Sequence, residues 1–196
     1  MQIPVSAGIL AGGKSTRMGE NKAYLEIKDE SFLYHTIRIC SCCDDIWISV
    51  DDPAKYPALP YPMATDEIQG YGPVEGIYQL LGHVKHPYCL ILATDMPLLA
   101  GELLEALVNR LTGDEECLIL RADGRLHPLC GIYRKTVLPV LEQMREQKVH
   151  KIRSLFDRVK TTYIDLEEMG FSVDMVENVN TQQEYETLKE RNKVSQ

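Results

Sequence analysis

The sequence lacks a long apolar segment, an excess of positive charge and a complete metal-binding motif. Its 21 lysines and arginines are outnumbered by 29 acidic residues, so the formal net charge is -8. That balance argues against a broad nucleic-acid-binding face, which needs clustered cations. No stretch approaches the apolar length of a membrane helix, and residues 1–4 lack the basic and apolar regions of a signal peptide. We therefore expect a cytoplasmic protein that binds neither nucleic acid nor membranes.

The cysteines and histidines do not form a recognisable metal site. Cys40, Cys42 and Cys43 are close together, but no second spaced pair of Cys or His residues accompanies them, and structural zinc normally takes four ligands in pairs. We expect reduced thiols that behave as small buried hydrophobes. The five histidines have neither metal-ligand nor catalytic-triad spacing, and we expect them to be surface or packing residues. They are His35, His83, His86, His127 and His150.

Apolar strand patterns alternate with helical patterns in the first half of the chain, which at 196 residues is long enough for one domain. The buried-strand candidates there are Val5–Leu10, Ile46–Val50 and Tyr88–Ala93. In the second half, residues 117–120 and 129–133 flank a turn signal at Asp123-Gly124. The sequence predicts an α/β fold, a single Rossmann-like domain with a mostly parallel twisted sheet, helices on both faces and an antiparallel element in the second half.

A glycine-rich segment with three cations follows the first strand candidate. Gly12 and Gly13 allow a sharp turn that presents backbone N–H groups to an anion, because neither residue has a Cβ atom. Lys14, Arg17 and Lys22 bring positive charge to the same turn. This combination predicts a cradle for a polyphosphate.

The same segment also matches the P-loop pattern by letter. Gly8, four intervening residues and Gly13-Lys14-Ser15 fit G-x-x-x-x-G-K-[ST]. A P-loop needs its first glycine after the strand and a sustained helix from the lysine, whereas Gly8 falls inside the apolar run and Gly19 interrupts a helix early. We interpret the match as accidental. A P-loop NTPase and an inactive nucleotide-binding subunit are the alternatives from other functional classes.

Two aspartates follow other strand candidates. Ligands of parallel α/β sheets lie beyond the carboxyl ends of the strands, so Asp66 and Asp95 can converge with the glycine-rich segment. A carboxylate placed like Asp95, after a central strand, can hold Mg²⁺ against phosphate oxygens. The structural alternatives are that Asp95 caps the following helix and that Asp66 forms a turn.

The run from Leu10 to Lys22 resembles the signature of the molybdenum cofactor guanylyltransferases, Leu-Ala-Gly-Gly-x-x-x-Arg-Met-Gly-x-[Asp/Asn]-Lys. Residues 127–133 and the Asn-x-Asn-Thr run that begins at Asn178 are similar to later segments of the same family. The resemblance covers residues 8–184, which is nearly the whole chain.

The resemblance implies one nucleotidyltransferase domain over residues 1–196, with the nucleotide side within 1–100 and the pterin-substrate side within 101–190. It implies that GMP is transferred from GTP to molybdenum-molybdopterin, with release of pyrophosphate and with Mg²⁺ as cofactor. Proteins of cofactor synthesis and recipient molybdoenzymes are the implied protein partners.

The resemblance also implies roles for individual residues. Arg17, Lys22 and Asp95 are the implied catalytic residues, and Asp95 is the implied metal ligand. The implied nucleotide-binding residues are Leu10, Ala11, Gly12, Gly13, Lys14, Lys22, Ser49, Asp66 and Asp95. The implied pterin-substrate residues are Gly72, Gly76, Asn178 and Asn180. Ser49 departs from the family, which often has asparagine there, and the two asparagines could equally be loop and helix-capping residues.

The choice of base rests on the glycine pair. Leu-Ala-Gly-Gly is similar to the guanylyl branch, whereas related cytidylyltransferases generally have alanine at the position of Gly12. A side chain there would alter how closely a base can approach. CTP-dependent cofactor and sugar-phosphate nucleotidyltransferases are the alternatives within the class.

Overall fold

The fold is known from a computed structural model, which describes residues 3–12, 22–57 and 59–194. Its strands are β1 Val5–Leu10, β2 Glu26–Ile27, β3 Glu30–Ser31, β4 Ile46–Val50, β5 Met63–Thr65, β6 Tyr88–Ala93, β7 Cys117–Ala122, β8 Arg125–Arg134 and β9 Thr161–Asp165. Its α-helices are α1 Phe32–Ile39, α2 Pro73–His83, α3 Gly101–Val108, α4 Leu138–Glu146, α5 Arg153–Phe156 and α6 Gln182–Val194. Short 3-10 helices are Lys22–Tyr24, Pro53–Lys55, Lys135–Val137, Glu167–Met169 and Val173–Val176.

Seven strands form one sheet in the order β5-β4-β1-β6-β8-β7-β9, and β2 pairs with β3 in a separate hairpin. Strands β5, β4, β1 and β6 are mutually parallel, as are β7 and β9. Strand β8 runs antiparallel to both of its neighbours, β6 and β7. The predicted fold class, a mostly parallel sheet with an antiparallel element in the second half, is confirmed.

Strand β6 shows why helices cover both faces of the sheet. All six of its residues are buried, and alternate side chains enter different cores. Leu90 and Leu92 pack in the core beneath α1 and α3, whereas Cys89 and Ile91 pack beneath α2, α4 and α5. Because successive side chains of a strand point to opposite faces, a strand that is apolar throughout must be covered on both sides.

The turn between β7 and β8 has the conformation that its sequence predicts. Asp123 and Gly124 have φ angles of 47° and 68°. Two positive φ angles in succession suit a two-residue hairpin turn, because the turn's twist then matches that of the strands. The hairpin places β8 between β6 and β7, and so inserts the antiparallel strand into the sheet.

Three helices are shorter than the stretches for which the sequence predicts helix, namely residues 32–43, with Ser31 as N-cap, residues 136–147 and residues 152–159. Helix α1 begins after Ser31, whose side chain accepts a hydrogen bond from Tyr34 N as predicted, but it ends at Ile39 rather than at residue 43. The predicted helix over residues 136–147 starts as a 3-10 turn, and its α-helical part begins one residue before Pro139. Proline is accommodated in the first turn of an α-helix, where its missing N–H has no intrahelical partner. The third, predicted over residues 152–159, is confined to α5.

The C-terminal helix α6 packs against the start of the chain's second described segment. Val179, Tyr185 and Leu188 form a small apolar cluster with Leu25 and Phe32. The run Thr181-x-x-Glu184 predicts a capping box at the beginning of this helix, and the structure confirms it. The Thr181 hydroxyl accepts a hydrogen bond from Glu184 N at 3.2 Å, and the Glu184 carboxylate accepts one from Thr181 N at 2.9 Å.

The cysteines have the buried surroundings that the sequence analysis predicts. All six are free thiols, and five of them are buried while Cys42 is half-buried. Cys40 and Cys43 belong to the same apolar core as α1. None of the helices in the described part of the chain combines the length and the apolar character needed to cross a membrane.

Candidate nucleotide-transfer site

Four parallel strands deliver the predicted site residues to one edge of the sheet. Strands β1, β4, β5 and β6 share a direction, so their carboxyl ends lie together. Gly12 follows β1, Ser49 is near the end of β4, Asp66 follows β5 and Asp95 follows β6. This is the edge at which open α/β sheets bind ligands. Gly13, Lys14 and Arg17 lie outside the described residues.

Gly12 is held against β4 by its backbone. The N–H groups of Ala11 and Gly12 both donate to the Ser49 carbonyl, at 3.0 and 3.2 Å. A Cβ atom at Gly12 would lie 2.8 Å from Asp51 N. The expectation that the Gly12 N–H faces an anion is therefore wrong in this structure, since that group bonds within the protein. A side chain at this position would first displace the neighbouring strand and only then alter how closely a base approaches.

Leu10 and Gly8 of β1 both pack against neighbouring elements. Leu10 is half-buried and packs beside α2, where its Cδ2 atom lies near Gly76. Gly8 pairs with β4 on one side and β6 on the other, and a Cβ atom there would lie 2.9 Å from the side chains of Cys89 and Leu80. Gly8 is thus a sheet residue and cannot open a phosphate loop. The P-loop interpretation is wrong at its first glycine.

Ser49 and Asp66 form a linked pair at the end of β4 and β5. The buried Ser49 hydroxyl donates to Asp66 Oδ1 at 3.4 Å. Burial raises the pKa of Asp66 to about 6, the negative charges of Glu75 and Asp51 add to the rise, and the Ser49 hydrogen bond opposes it. Among the described residues, the Asp66 carboxylate bonds to Ser49 and not to the backbone that follows it, so it does not form the alternative turn.

A buried ion pair supports the loop that carries Asp66. The side chain of Glu75 is fully buried and pairs with Arg145 Nε at 2.7 Å. Its carboxylate also accepts hydrogen bonds from the N–H groups of Glu67 and Ile68, at 3.0 and 3.3 Å. A buried carboxylate needs such partners to compensate for its lost hydration. This ion pair could not be predicted from sequence patterns, because Glu75 and Arg145 are 70 residues apart.

The two predicted glycines of the pterin side have different environments. Gly72 is exposed, has a φ angle of 87° and precedes the first turn of α2, with nothing within 4 Å of a Cβ atom built on it. Gly76 is buried inside α2, where an added Cβ atom would lie 2.5 Å from Leu10 Cδ2 and 2.8 Å from Ser49 Oγ. Packing against the sheet therefore requires glycine at position 76, whereas its implied role on the pterin side stays a prediction.

Asp95 is a half-buried residue whose carboxylate is incompletely hydrogen-bonded. Its Oδ1 atom is buried and has no hydrogen-bond partner among the described residues. Burial raises the pKa of Asp95, and the nearby ammonium of Lys22 opposes the rise. Helix α3 begins later, and Ala100 is its N-cap residue. The alternative in which Asp95 caps the following helix is therefore wrong.

Lys22 reaches the C-terminal segment of the chain. Its Nζ atom donates to the Val179 carbonyl at 2.9 Å and to Asn180 Oδ1 at 3.0 Å. Val179 N in turn donates to the Asp95 carbonyl at 2.8 Å. Lys22, Asp95 and the 178–180 segment are thus brought together although up to 158 residues separate them in sequence.

A cleft of about 700 Å³ opens beside Asp95. Asn178 and Asn180 line it on one side. Three basic side chains that the sequence analysis did not select line another part, namely Arg125, His127 and Arg153. Burial lowers the pKa of His127, and the neighbouring guanidinium groups of Arg153 and Arg125 lower it further. The lining also contains Asp123, Asp174 and Glu177, so the cleft combines carboxylates and amides with the three basic side chains, which we call the basic wall.

The predicted site residues form two groups along the sheet edge. The first contains Gly12, Ser49 and Asp66, at the ends of β1, β4 and β5. The second contains Lys22 and Asp95 together with the two asparagines of the cleft. In the described part of the chain no side-chain hydrogen bond joins the groups. A bound ligand that uses both must therefore extend along the edge.

The second group suits a divalent cation whose ligands come partly from the protein and partly from a substrate. No cluster of three His, Cys, Asp or Glu side chains that could hold a metal exists among the described residues. Mg²⁺ does not need one, since it is usually bound by one or two carboxylates together with substrate phosphates and waters. The unpartnered, buried Oδ1 atom of Asp95 fits that requirement.

Comparison with known proteins identifies the family. Residues 7–162, most of the chain, match the MobA-like NTP transferase domain. The chain belongs to this family. A Clostridium perfringens protein named probable molybdenum cofactor guanylyltransferase is 34% identical over 195 residues, which cover 95% of this chain and 96% of that protein. A Carboxydothermus hydrogenoformans protein of the same name is 33% identical over 187 residues and is covered, like this chain, to 94%.

A solved MobA-like structure has the same fold. Molybdopterin-guanine dinucleotide biosynthesis protein A from Archaeoglobus fulgidus superimposes with a TM-score of 0.83, and the match covers 96% of this chain and 99% of that one. Its sequence is 21% identical, so the likeness establishes the architecture. Family membership, predicted from the run between Leu10 and Lys22, is confirmed.

The basic wall of this MobA-like chain left only a weak signal in the sequence. His127 lies in a segment that resembles the family, yet its isolated position suggested a surface or packing residue. In the structure His127 is half-buried and lines the cleft. Arg125 and Arg153 belong to β8 and α5, and Arg153 Nη2 donates to the Leu126 carbonyl at 3.1 Å. Only the packing of α5 beside β8 reveals that the two arginines face one cleft.

The crowding at Gly76 can be tested with two substitutions in the same helix. Gly76→Ala forces a methyl group against Leu10 and Ser49, and we expect it to lower the free energy of unfolding by about 1–3 kcal/mol. Gly82→Ala is the matched control, because nothing lies within 4 Å of its added Cβ atom. Alanine favours helix over glycine by about 1 kcal/mol, so this variant should be neutral or stabilised. Urea denaturation measures both, and equal effects would contradict the packing assignment.

The raised pKa of Asp66 predicts a pH-dependent effect of Asp66→Asn. The pKa in the folded chain, about 6, exceeds the usual value of 3.8, so ionisation of Asp66 destabilises the fold increasingly as pH rises through this interval. Between pH values of about 4 and about 8, we expect the free energy of unfolding of the variant to rise relative to that of wild type by about 1–2 kcal/mol. This energy is smaller than the full pKa shift would give, because Asp66 is partly solvated. Urea denaturation of both proteins at the two pH values measures the gain. A difference that does not change with pH would refute this prediction.

Proposed function

We propose that this chain transfers GMP from GTP to molybdenum-molybdopterin, forming molybdopterin guanine dinucleotide and releasing pyrophosphate. The observation that carries the proposal is the placement of the Lys22 ammonium and the unpartnered Asp95 carboxylate oxygen beside one cleft at the sheet edge. Membership of the MobA-like family and the names of its relatives support the choice of reaction and substrates. We place this activity in the cytoplasm, with proteins of cofactor synthesis and recipient molybdoenzymes as partners.

The proposed reaction needs positioning and charge neutralisation more than acid-base chemistry. Its nucleophile is the terminal phosphate of the pterin, which is already ionised at neutral pH, so no side chain has to remove a proton. The bond formed joins that phosphate to the α-phosphorus of GTP, and the bond broken releases pyrophosphate. The protein's contribution is to align the two anionic substrates and to offset their charge.

Lys22 is the described cation that serves the nucleotide in this proposal. An ammonium about 4 Å from a phosphate charge interacts by about 4 kcal/mol at an effective dielectric constant of ~20, before desolvation costs. Lys14 and Arg17 are expected to act with it on the triphosphate and the leaving pyrophosphate. Both lie outside the described residues, so their roles stay predictions from the sequence.

Asp95 is the proposed ligand of Mg²⁺. Its buried Oδ1 atom lacks a partner among the described residues, and a hard cation prefers carboxylate oxygen. When bound, Mg²⁺ would neutralise part of the charge on the phosphate oxygens. The protein's own part is to keep this carboxylate dry and oriented, with Lys22 nearby to favour its ionised form.

The basic wall is the proposed contact for the anionic acceptor. Arg125, His127 and Arg153 lie together in the lining of the cleft, in a chain whose formal net charge is -8. Arginine binds phosphate in a bidentate manner, and the amide of Asn178 offers both donors and an acceptor. We therefore propose that the pterin side lies in the second half of the chain, which is the division that the family resemblance implies.

Product analysis tests the proposed reaction. The purified protein is incubated with Mg²⁺, molybdenum-molybdopterin and GTP, CTP or ATP in separate reactions. We expect a dinucleotide product with GTP, one pyrophosphate for each product molecule, and no pyrophosphate when the acceptor is left out. Release of orthophosphate without acceptor would instead support an NTPase, and a cytidine dinucleotide would reassign the base.

Asp95→Asn tests the proposed metal ligand. The substitution keeps the size of the side chain but removes its charge, so we expect turnover to fall by about 100-fold or more with an unchanged circular dichroism spectrum. Asp114→Asn, at an exposed loop residue, is the matched control and should retain wild-type turnover. Turnover of Asp95→Asn within about twofold of wild type would remove Asp95 from the site.

A further inference from the structure

The ammonium of Lys22 is fixed by two acceptors from one short segment. Its Nζ atom lies 2.9 Å from the Val179 carbonyl oxygen and 3.0 Å from Asn180 Oδ1. A lysine ammonium has three donors on a flexible four-carbon stem. Two neighbouring acceptors restrict that stem, so residues 179 and 180 determine where this charge is held.

The same segment is attached to Asp95 and to the start of α6. Val179 N donates to the Asp95 carbonyl at 2.8 Å, and Val179 itself is buried. Asn180 N donates to the Glu184 carboxylate at 2.6 Å, beside the capping bonds of Thr181. The segment is therefore anchored at both ends while its middle holds Lys22. It sets the spacing between the cation and the carboxylate of the candidate site.

A second attachment joins α6 to the residues that follow Lys22. The Tyr185 hydroxyl donates to the Glu26 carbonyl at 2.7 Å, and Glu26 N lies 3.3 Å from the same hydroxyl oxygen. The Tyr185 ring also contacts Phe32 edge-on, with ring centroids 6.0 Å apart. The C-terminal segment and the Lys22 region thus form one packed unit, and movement of one displaces the other.

We propose that Asn180 is a positioning residue for Lys22 and acts on the nucleotide side of the reaction. The sequence analysis assigned Asn180 to the pterin substrate, but its side-chain oxygen accepts a hydrogen bond from Lys22. Asn178 lines the same cleft, and in the described structure it makes no hydrogen bond to Lys22. The two asparagines therefore divide the work, with Asn178 on the acceptor side and Asn180 behind the phosphate-binding cation. The inference rests on the proposed binding of GTP.

GTP affinity measured without acceptor separates this role from a pterin contact. Isothermal titration calorimetry with GTP and Mg²⁺ compares wild type with Asn180→Ala and with Gln182→Ala. Gln182 is the matched control, an exposed amide of α6 that donates to Glu186 and not to Lys22. We expect Asn180→Ala to weaken GTP binding by about 5- to 10-fold, because the Val179 carbonyl still holds the ammonium in part. Gln182→Ala should bind GTP as wild type does.

A double-mutant cycle shows whether the effect passes through Lys22. If Asn180 acts by holding the ammonium, Asn180→Ala in a Lys22→Met background should change GTP affinity by less than about twofold. In steady-state assays Asn180→Ala should raise KM for GTP and leave KM for the acceptor unchanged, whereas Asn178→Ala should raise KM for the acceptor. Thermal unfolding of each variant checks that the capping bonds of α6, which use backbone N–H groups, are intact.

Two results would overturn the proposal. One is wild-type GTP affinity in Asn180→Ala, and the other is an undiminished effect of that substitution in the Lys22→Met background. Either result with a wild-type protein that binds GTP refutes the positioning role alone. A wild-type protein that does not bind GTP refutes the proposed function as well, so the two failures are distinguishable.

Discussion

Strand β1 is hydrogen-bonded on both sides by parallel neighbours, and this pairing decides where the candidate site lies. Parallel strands share a direction, so the chain leaves the sheet at a single edge at Gly12, Asp66 and Asp95. The pairing tolerates no bulk at its centre, because a Cβ atom at Gly8 would lie 2.9 Å from Cys89 Sγ. Gly8 in β1 and Gly12 after it are therefore required by the packing of the strands, whether or not a ligand is bound.

Two carboxylates near this edge, those of Glu75 and Asp95, differ in whether their buried oxygens are hydrogen-bonded. Glu75 is fully buried and satisfied, since it pairs with Arg145 and accepts N–H groups of the Asp66 loop. Asp95 keeps one buried oxygen for which the described part of the chain provides no partner. Burying an unpaired carboxylate costs free energy, which a bound cation can offset. The satisfied carboxylate holds the scaffold together, and the unsatisfied one is the residue that we propose binds the metal.

Much of the fold could be predicted from local patterns, whereas the surroundings of individual residues could not. The apolar run of β6 and the Asp123-Gly124 turn each carry their structural signal within a few residues, because burial and backbone angle act locally. The packing constraint on Gly76 could not be predicted, since a glycine required by a neighbouring strand looks the same in sequence as one required by a ligand. The place of Arg125 and Arg153 in the cleft could not be predicted, because the residues around each arginine do not indicate that the other lies nearby.

The sequence by itself determined the fold class, the family and the order in which polar residues follow the strands, because periodicity and motif spacing are properties of neighbouring residues. Only the tertiary structure decided which of those residues meet. It joined Lys22 to Asn180 across 158 positions and left Asp95 with an unpaired oxygen beside them. Hydrogen bonds and burial depend on distance in space. The packing of α6 against Leu25 and Phe32 brings these residues within that distance.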